Sequence, residues 1–381
     1  MTTQTQSTGP VNGVLMAAGL GLIISLGGTL LNMFSQGHMS FNTGSAGITW
    51  GLPVAVYVFF VLTSTGLTFV ASLAMVFGFK DFYPIAKRCI WLALAALVAG
   101  FASLAFEMGH PFRMLWAVPL NFQYVSPLLW MGVFYAAYMV LLLLKFHKVN
   151  NGDWDSNGSR KLGVASFATV VVAHATLGAA FGMMAMRPFW FGPLIPIYFL
   201  ITAAVSGGAF AVLITYIAYG SQDRMPDKVR SLMTGALPKV FAAALGVVLV
   251  ATLARVANGL WSNADGLQVW QMIVRGPWFW IEMIAMVAAF YLMLSAATRN
   301  QGTMQLAAAL LTIVSLAIGR YEFVIGGQLV PLFKGAWVKG LIDYTPSTTE
   351  WMLALMALSI TFLVYALGER MLNLSAAPDK A

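Results

Sequence analysis

Ten apolar runs, each long enough to cross a lipid bilayer as an α-helix, divide this chain of 381 residues. A transmembrane helix needs about 20 mostly apolar residues. Because the bilayer core offers the backbone no hydrogen-bond partner, runs of this length have to form helices. The sequence therefore predicts an all-α integral membrane protein with about ten transmembrane helices. We place these spans at 13–34, 51–78, 88–109, 125–146, 162–186, 193–219, 238–258, 277–298, 303–325 and 350–369.

The amino-acid composition supports a membrane protein. Sixty per cent of the residues are hydrophobic and 9% are charged, whereas ordinary soluble domains have about 25% charged residues. The surplus of apolar side chains must face lipid. Cys89 is the only cysteine, which excludes a disulfide framework, a thiolate zinc site and an iron–sulfur cluster within this chain. The sequence has no phosphate loop, nucleophile elbow or zinc motif, so we expect no metal site.

Lysine and arginine residues predict the orientation. Fourteen of the 21 fall on the side that carries the C-terminal tail and the loops at 79–87, 147–161, 220–237 and 299–302, and seven fall on the other side. Such a bias marks the cytoplasmic side. We therefore predict a multi-pass protein of the bacterial cytoplasmic (inner) membrane with both termini in the cytoplasm. The net charge of +8 then reflects orientation rather than nucleic-acid binding. The outward loops are rich in Trp, Pro and Gly and suit partner docking; they are 35–50, 108–124, 259–276 and 326–349.

An internal repeat relates span two to span six. In both spans a proline-bearing outer end leads to a tyrosine, Tyr57 or Tyr198, and a glycine follows nine residues later, Gly66 or Gly207. Chance is the alternative, since these residue types are common in membrane helices. We favour the repeat and predict two parallel four-helix bundles, spans 2–5 and 6–9, flanked by spans 1 and 10. The predicted segments are 1–50 (tail, first helix and outer loop), 51–190 (first bundle), 191–325 (second bundle) and 326–381 (outer loop, last helix and tail).

Charged side chains inside a bilayer are costly, so those that remain usually pair with one another or serve a site. Glu107 lies near the outer end of span three, and Arg255, Glu282 and Arg320 lie in the outer half of spans seven, eight and nine. We interpret the last three as candidates for a proton pathway; a structural ion pair between Arg255 and Glu282 is the alternative. A carboxylate beside hydrocarbon holds its proton more tightly than one in water. Glu107 is therefore a candidate proton donor or acceptor.

Of the four histidines, His174 alone falls in the middle of a span. A bis-histidine haem b needs two histidines at matching depth on facing helices, and that pair is absent from the sequence. We therefore expect no haem in this chain. His174 is either a structural residue or the imidazole that hydrogen-bonds a buried polar ligand or relays a proton. Tyr57, about two turns into span two, is a second candidate, although tyrosines are also common in aromatic belts.

Four motifs follow one another in a consistent order over about residues 50 to 370. They are Glu107-Met-Gly-His-Pro-Phe-Arg113-Met-Leu-Trp116 with Ser126-Pro127-Leu-Leu-Trp130-Met-Gly132, then Arg187-Pro188-Phe-Trp190, Gly319-Arg320-Tyr-Glu-Phe-Val-Ile-Gly-Gly-Gln328-Leu-Val-Pro331, and Tyr344-Thr-Pro-Ser347-Thr-Thr-Glu350. Together they resemble the signature of the polysulfide reductase membrane subunit (NrfD-like) family. The last two resemble its longer, ten-helix branch.

This resemblance implies a haem-free quinone-binding membrane anchor of a multi-subunit respiratory oxidoreductase, with proton translocation left open. Such a protein exchanges electrons between the quinone pool (menaquinone or ubiquinone) and an iron–sulfur partner subunit. The partner docks on the face that carries the Ser-Pro-x-x-Trp loop, which our charge-based topology places outside. The redox metals then belong to other chains, including a catalytic subunit that is a molybdopterin enzyme or part of a cytochrome-containing complex.

In the shorter family members, polar residues on the first and fourth bundle helices hold the quinone. Those two helices correspond to spans two and five here. Tyr57 takes a position where those members carry a histidine, whereas Val54 replaces a hydrogen-bonding asparagine. We therefore predict a rebuilt quinone site between Tyr57, Glu107 and His174. Glu107 and His174 are its predicted catalytic residues, and the predicted binding residues are Tyr57, Glu107, Arg113, Trp130 and His174.

Two other interpretations stay open. Bundle repeats and buried charges also suit a secondary transporter of a small solute or ion. The missing polar group at Val54 suits a purely structural anchor whose quinone site has decayed. The sequence favours the quinone-binding subunit, because Tyr57, Glu107 and His174 would have no purpose in a decayed site.

Overall fold

The computed structural model describes residues 9–44, 47–110, 112–261, 266–331 and 340–378, with the backbone alone at 114, 115, 118 and 119. Its regular elements in these residues are helices, without a strand. The α-helices are α1 (Gly9–Gln36), α2 (Leu52–Met75), α3 (Tyr83–Glu107), α4 (Arg113–Leu120), α5 (Pro127–Asn150), α6 (Asn157–Gly182), α7 (Ile195–Tyr219), α8 (Asp227–Thr234), α9 (Ala236–Trp261), α10 (Gly266–Arg275), α11 (Pro277–Leu294), α12 (Ala296–Arg299), α13 (Gly302–Gly326) and α14 (Thr348–Met371).

Ten of these helices are long and apolar enough to cross a membrane. They are α1, α2, α3, α5, α6, α7, α9, α11, α13 and α14, and they correspond one to one to the ten predicted spans. The prediction of an all-α, multi-pass membrane protein is confirmed. The helices α2, α3, α5, α7 and α11 each have a proline at their first or second position, where the helix makes no hydrogen bond to the N–H that proline lacks.

Several helices extend beyond the predicted spans because cations near their ends are bonded inside the protein. α3 begins at Tyr83 rather than at 88. Within it, the buried Arg88 forms an ion pair with Glu369 of α14, with Nε 2.6 Å from Oε1. α5 continues to Asn150 rather than ending at 146, and Lys145 donates to the Ser159 hydroxyl at 2.7 Å. A paired or hydrogen-bonded cation can stay buried, so it does not end the helix.

The helices pack in two connected groups. In the first, α2 contacts α3 and α6, and α5 contacts α6 and α3. In the second, α9 contacts α7 and α11, and α13 contacts α11 and α7. These contacts agree with the predicted bundles of spans 2–5 and 6–9. That each set forms a complete four-helix bundle stays a prediction. α1 lies against α14, which in turn lies against α3.

The two groups meet at a crossing of α2 and α7, where Gly66 and Gly207 let the backbones approach closely. A Cβ at Gly66 would collide with the Ala203 carbonyl oxygen, and a Cβ at Gly207 would collide with the backbone of Gly66. At the same crossing the Thr63 and Ser206 hydroxyl oxygens lie 2.8 Å apart. The two glycines that the internal repeat equates therefore lie against each other.

Because consecutive long helices alternate in direction, the molecule has two ends. We call the end where α2 begins and α3 ends the Glu107 end, and the opposite end the Lys145 end. The predicted site residues lie in the half toward the Glu107 end or at the middle of their helices.

Candidate functional site

His174 lies in a small polar network between α2, α5 and α6. Its ring is completely buried. Nδ1 lies 2.8 Å from the Tyr135 hydroxyl oxygen and 3.1 Å from Oγ1 of Thr65. The other ring nitrogen, Nε2, is buried and has no hydrogen-bond partner in the described part of the chain. Such orphaned polar atoms are rare in folded proteins, so Nε2 marks a position where a ligand or a water can bind.

The hydrogen bonds around Nδ1 leave Nε2 available in either tautomer. The Thr65 hydroxyl donates its hydrogen to the Val61 carbonyl oxygen at 3.0 Å, so it can only accept a further bond. If Tyr135 donates to Nδ1, then Nε2 carries the ring hydrogen and is a free donor. If Nδ1 carries the hydrogen and donates to Thr65, then Nε2 is a free acceptor. The ring can thus serve a carbonyl oxygen or a hydroxyl.

Tyr57 lies nearer the Glu107 end and connects to His174 through other aromatic rings. Its side chain is 3% exposed, yet its hydroxyl makes only a weak contact with Sδ of Met131 at 3.7 Å. The Phe101 ring centroid lies 5.5 Å from that of Tyr57 and 5.9 Å from that of Tyr135. Tyr135 in turn bonds His174. A tyrosine hydroxyl with only a thioether partner retains capacity for a stronger acceptor or donor.

Glu107, the last residue of α3, binds the start of α2. Its Oε1 accepts a hydrogen bond from the Gly51 N–H at 2.7 Å. Its Oε2 is buried and has no partner in the described residues. One oxygen therefore satisfies an N–H at a helix N-terminus, which the helix cannot satisfy by itself. The other oxygen is left for a proton, a water or a ligand.

The same helix start is bound by a second carboxylate through Tyr344. The Leu52 N–H donates to the Tyr344 hydroxyl at 2.7 Å, and that hydroxyl donates to Oε1 of Glu350 at 2.6 Å. Burial and the hydrogen bond to Glu350 raise the pKa of Tyr344 well above its usual range. Tyr344 therefore stays protonated and keeps this bond. No pattern in the sequence indicated this contact, because Tyr344 lies almost 300 residues from Leu52.

Arg113 and Trp130, two predicted binding residues, lie at the surface of the Glu107 end. Arg113 is the exposed first residue of α4. The Trp130 indole N–H donates to the Tyr124 carbonyl oxygen at 2.7 Å, and its ring stacks on Phe134. The next residue, Met131, points inward to Tyr57. Neither Arg113 nor Trp130 contacts His174 or Tyr57 among the described contacts, so their roles stay predictions.

Arg255, Glu282 and Arg320, the predicted proton-pathway residues, come together in the second group of helices. The Arg255 guanidinium lies within 5.3 Å of four ring centroids, those of Phe189, Tyr198, Trp270 and Phe323. Arg320 lies 5.0 Å from the centroid of Phe199, whose ring also contacts His174. Among the described residues no direct ion pair joins either arginine to Glu282. Cation–π contacts, rather than an Arg255–Glu282 ion pair, surround Arg255.

Glu322, which the sequence analysis did not assign to this pathway, connects the cluster to the surface. Glu322 and Glu282 both border a cavity of about 30 Å³ beside Arg255. That volume holds about one water. Glu322 also borders a second cavity of about 220 Å³ toward the Glu107 end, together with the exposed Asp343. Because Glu322 borders both cavities, it links the buried Glu282 to that end.

The repeat extends to a second pair of helix starts that the sequence analysis missed. α5 begins Pro127-Leu-Leu-Trp130, and α11 begins Pro277-Trp-Phe-Trp280. In both, the tryptophan N–H donates to the carbonyl oxygen six residues earlier, at 2.7 Å for Trp130 and 3.0 Å for Trp280. A short helix, α4 or α10, precedes each one. The recurrence of Pro-x-x-Trp was the sequence signal that could have revealed it.

Comparison with known proteins connects this arrangement to one family. The profile of the family described as "Polysulphide reductase, NrfD" matches residues 41–332. The chain is 25% identical over 369 residues to a selenate reductase subunit of Mesobacillus selenatarsenatis, an alignment that covers 84% of both chains. The family match includes the motifs from Glu107 to Pro331 on which the resemblance rested.

Two archaeal proteins are similar over an even larger share of the chain. One is the Hdr-like menaquinol oxidoreductase integral membrane subunit of Archaeoglobus fulgidus, 24% identical over 365 residues, or 90% of this chain and 89% of the relative. The other is a putative dimethyl sulfoxide reductase membrane subunit of Halobacterium salinarum. It is 23% identical over 403 residues, which cover 94% of this chain and 91% of the relative.

Proposed function

Since this chain belongs to the polysulphide reductase, NrfD, family, we propose that it is the haem-free, quinone-binding membrane subunit of a multi-subunit respiratory oxidoreductase. In this proposal the chain exchanges electrons between the quinone pool and an iron–sulfur subunit, and catalysis takes place on a further subunit. Three similar proteins are named as subunits of reductases or oxidoreductases, two of them as membrane subunits, and one name includes menaquinol. These names support the oxidoreductase over a transporter.

The observation that carries the quinone proposal is the orphaned Nε2 of His174. The ring of a quinone has two opposite oxygens, and quinol, when bound, supplies two electrons and two protons. His174 can bond one of these oxygens in either redox state, because Nε2 is a donor in one tautomer and an acceptor in the other. The Tyr57 hydroxyl, held only by Met131, can bond the opposite oxygen. Buried Phe, Leu and Val side chains around them suit the ring and tail.

The residues around the site also suggest how it admits a ligand. Tyr57, Tyr135 and His174 are packed closed, with at most 3% of any of these side chains exposed. Met131 is the group against Tyr57, and an unbranched thioether changes rotamer easily. In this proposal Met131 moves aside for the ring. Glu107, with its unpartnered Oε2, then passes a proton to water at the Glu107 end.

The second cluster supports a proton pathway separate from the ring-binding site. The carboxyl groups of Glu282 and Glu322 line the same small cavity, so a proton can pass between them through one water. A water-sized cavity lies beside them, and a larger cavity leads from Glu322 toward the surface. Arg320 of this cluster and His174 of the ring-binding site contact the same ring, that of Phe199. We therefore add Glu322 to Arg255, Glu282 and Arg320 as the groups that would move protons.

The docking surface for the iron–sulfur subunit is proposed on the Glu107 end around α4. Exposed apolar side chains are concentrated there: Phe112, Trp116, Leu120, Phe122, Tyr124 and Val125. Electrons that leave a site near Tyr57 need an acceptor at this end, because it is the nearer surface. Part of the second predicted docking loop, 326–349, lies outside the described residues, as do Lys334 and Lys339 within it.

Purification of the intact complex from the membrane tests the proposed function. We expect an iron–sulfur subunit to co-purify, solvent extraction to yield about one quinone per chain, and this chain when isolated to show no haem absorbance. A complex without quinone that also fails to oxidise or reduce added quinone would contradict the proposal. Solute uptake by vesicles that contain this chain alone would favour the transporter.

A further inference from the structure

A groove of about 690 Å³ runs along the outside of α9, beside α11. Alanine, glycine and valine residues of α9 line one wall, and larger apolar side chains of α11 line the other. Gly246 allows the Phe290 ring to form the floor, because a Cβ there would come within 3.1 Å of that ring. Val250 and Leu294 are exposed. The groove therefore opens to the outside of the molecule, where lipid surrounds a transmembrane helix.

The shape of the groove suits an acyl chain better than a compact solute. Its lining residues on α9 run along one helical face from Lys239 to Ala254. This is roughly 22 Å at 1.5 Å per residue. One leaflet of the hydrocarbon core is about 15 Å thick, half of the full core. The groove therefore covers the whole depth that an acyl chain occupies in one leaflet.

Two cations, Lys239 and Arg299, border the groove toward its Lys145 end. Lys239 is exposed in the first turn of α9, and Arg299 borders the groove at the end of α12. Arg299 donates from Nη1 to the Leu294 carbonyl oxygen at 3.5 Å, whereas its Nε is buried and has no partner in the described residues. No lining residue is acidic. The groove thus combines a positively charged end, a free donor and an apolar length.

We propose that this groove binds one anionic phospholipid, with its phosphate between Lys239 and Arg299 and an acyl chain along α9 toward Ala254. Cations at head-group depth attract anionic lipid, by about fivefold for each cation. A quinone tail could occupy the apolar length but would leave both cations without a partner. The charges therefore favour the phospholipid, and the site is independent of the proposed quinone site.

Native mass spectrometry of the purified complex tests this site with phosphatidylglycerol and phosphatidylcholine that carry the same acyl chains. We expect a preference for phosphatidylglycerol of roughly 25-fold, from about fivefold for each of the two cations. The double variant Lys239→Gln with Arg299→Gln should lose this preference. Ala243→Phe, which fills the groove, should lower the retention of both lipids. Lys161→Gln, an exposed cation at the same end, and Val140→Phe, on the outer face of α5, are the matched controls.

The proposal is overturned if wild-type protein retains the two lipids equally, or if the double variant keeps the preference. It is also overturned if Val140→Phe lowers lipid retention as much as Ala243→Phe does, because binding would then be non-specific. The quinone content of the purified complex gives a further test. If Ala243→Phe is the one variant that loses quinone, the groove holds the quinone tail instead of a phospholipid.

Discussion

His174 has one nitrogen bonded to protein and one without a partner in the described residues, and in the proposed site this asymmetry gives the side chain two roles. Tyr135 and Thr65 fix the orientation of the ring through Nδ1, and the fixed ring presents Nε2 to a ligand. Tyr138, one turn along α5 from Tyr135, bonds Thr68 at 2.6 Å and Ser64 at 3.0 Å instead. Tyr135 contacts the histidine and Tyr138 does not, so Tyr138 is a matched control for substitutions of Tyr135.

We predict that His174→Gln lowers quinol-dependent turnover by about 100-fold or more, the usual effect of losing a general acid or base. Activity of the partner enzyme with artificial electron donors should be spared. Tyr135→Phe should lower quinol-dependent turnover in part, because it releases the ring, whereas Tyr138→Phe should not. Steady-state kinetics with quinol measure all three variants. Equal turnover in the two tyrosine variants would show that His174 does not depend on this orientation.

Glu107 also uses its two oxygens differently, since one bonds the start of α2 and the other stays available for a proton. Glu107→Gln keeps an oxygen to accept the Gly51 N–H but cannot carry a proton. We predict that it lowers quinol-dependent turnover while thermal unfolding is unchanged. Glu107→Ala removes both functions and should also cost about 1 kcal/mol of stability, as the loss of a helix cap does. Full activity in Glu107→Gln would reduce Glu107 to a structural residue.

At the scale of elements, the crossing of α2 and α7 joins the two halves of the molecule through glycine backbones. The sequence repeat aligned Gly66 with Gly207 but could not show that they touch each other. Contact between helices depends on their arrangement in three dimensions, and small residues only permit it. Polar hydroxyls of Thr63 and Ser206 then bond across this close approach.

Gly66→Ala and Gly207→Ala should each lower the free energy of unfolding by about 1–3 kcal/mol, because a new methyl group meets backbone that cannot move aside. Gly132→Ala in α5 is the control, since a Cβ there meets nothing within 4 Å. It should be neutral or stabilising, because alanine favours a helix over glycine by about 1 kcal/mol. Thermal unfolding in detergent compares the three. A stable Gly66→Ala protein would show that the helices do not cross this closely.

How far the sequence predicted each element depended on whether the cause was local. The long helices were predictable because apolar length is a property of a single segment, and all ten occur. The ends of these helices were less predictable. Arg88 and Lys145 lie within helices because their charged groups bond to residues outside those helices. The repeat was predicted from α2 and α7, while its Pro127 and Pro277 starts were overlooked.

For the candidate site, the sequence indicated single residues but not their contacts. The rarity of histidine inside spans singled out His174, but its partners come from α2 and α5, and no local pattern joins them. The position of Glu107 indicated a proton-carrying group, yet its bond to Gly51 depends on how α3 ends beside α2. Glu322 was overlooked because the two cavities that it borders, on which its proposed role rests, form only when several helices pack together.

At the scale of the whole molecule, the two halves divide the proposed work. The half with α2, α5 and α6 holds the proposed ring-binding residues, and the half with α9, α11 and α13 holds the buried charges and cavities. His174 and Arg320 both contact the ring of Phe199, so the two groups of helices meet at that ring. The orientation with both termini in the cytoplasm stays a prediction from the distribution of lysine and arginine. It would place the α4 surface outside.

Photoaffinity labelling of the intact complex with an azido-quinone, followed by mass spectrometry of the peptides, tests most directly whether this chain binds quinone at His174. We expect the label on residues of α2, α5 and α6 close to Tyr57, Met131 and His174, and we expect excess quinol to compete it away. His174→Gln should lower the labelling of these peptides, while Tyr138→Phe should not. Labelling confined to α9 and α11, or labelling that excess quinol does not reduce, would contradict a quinone site between Tyr57 and His174.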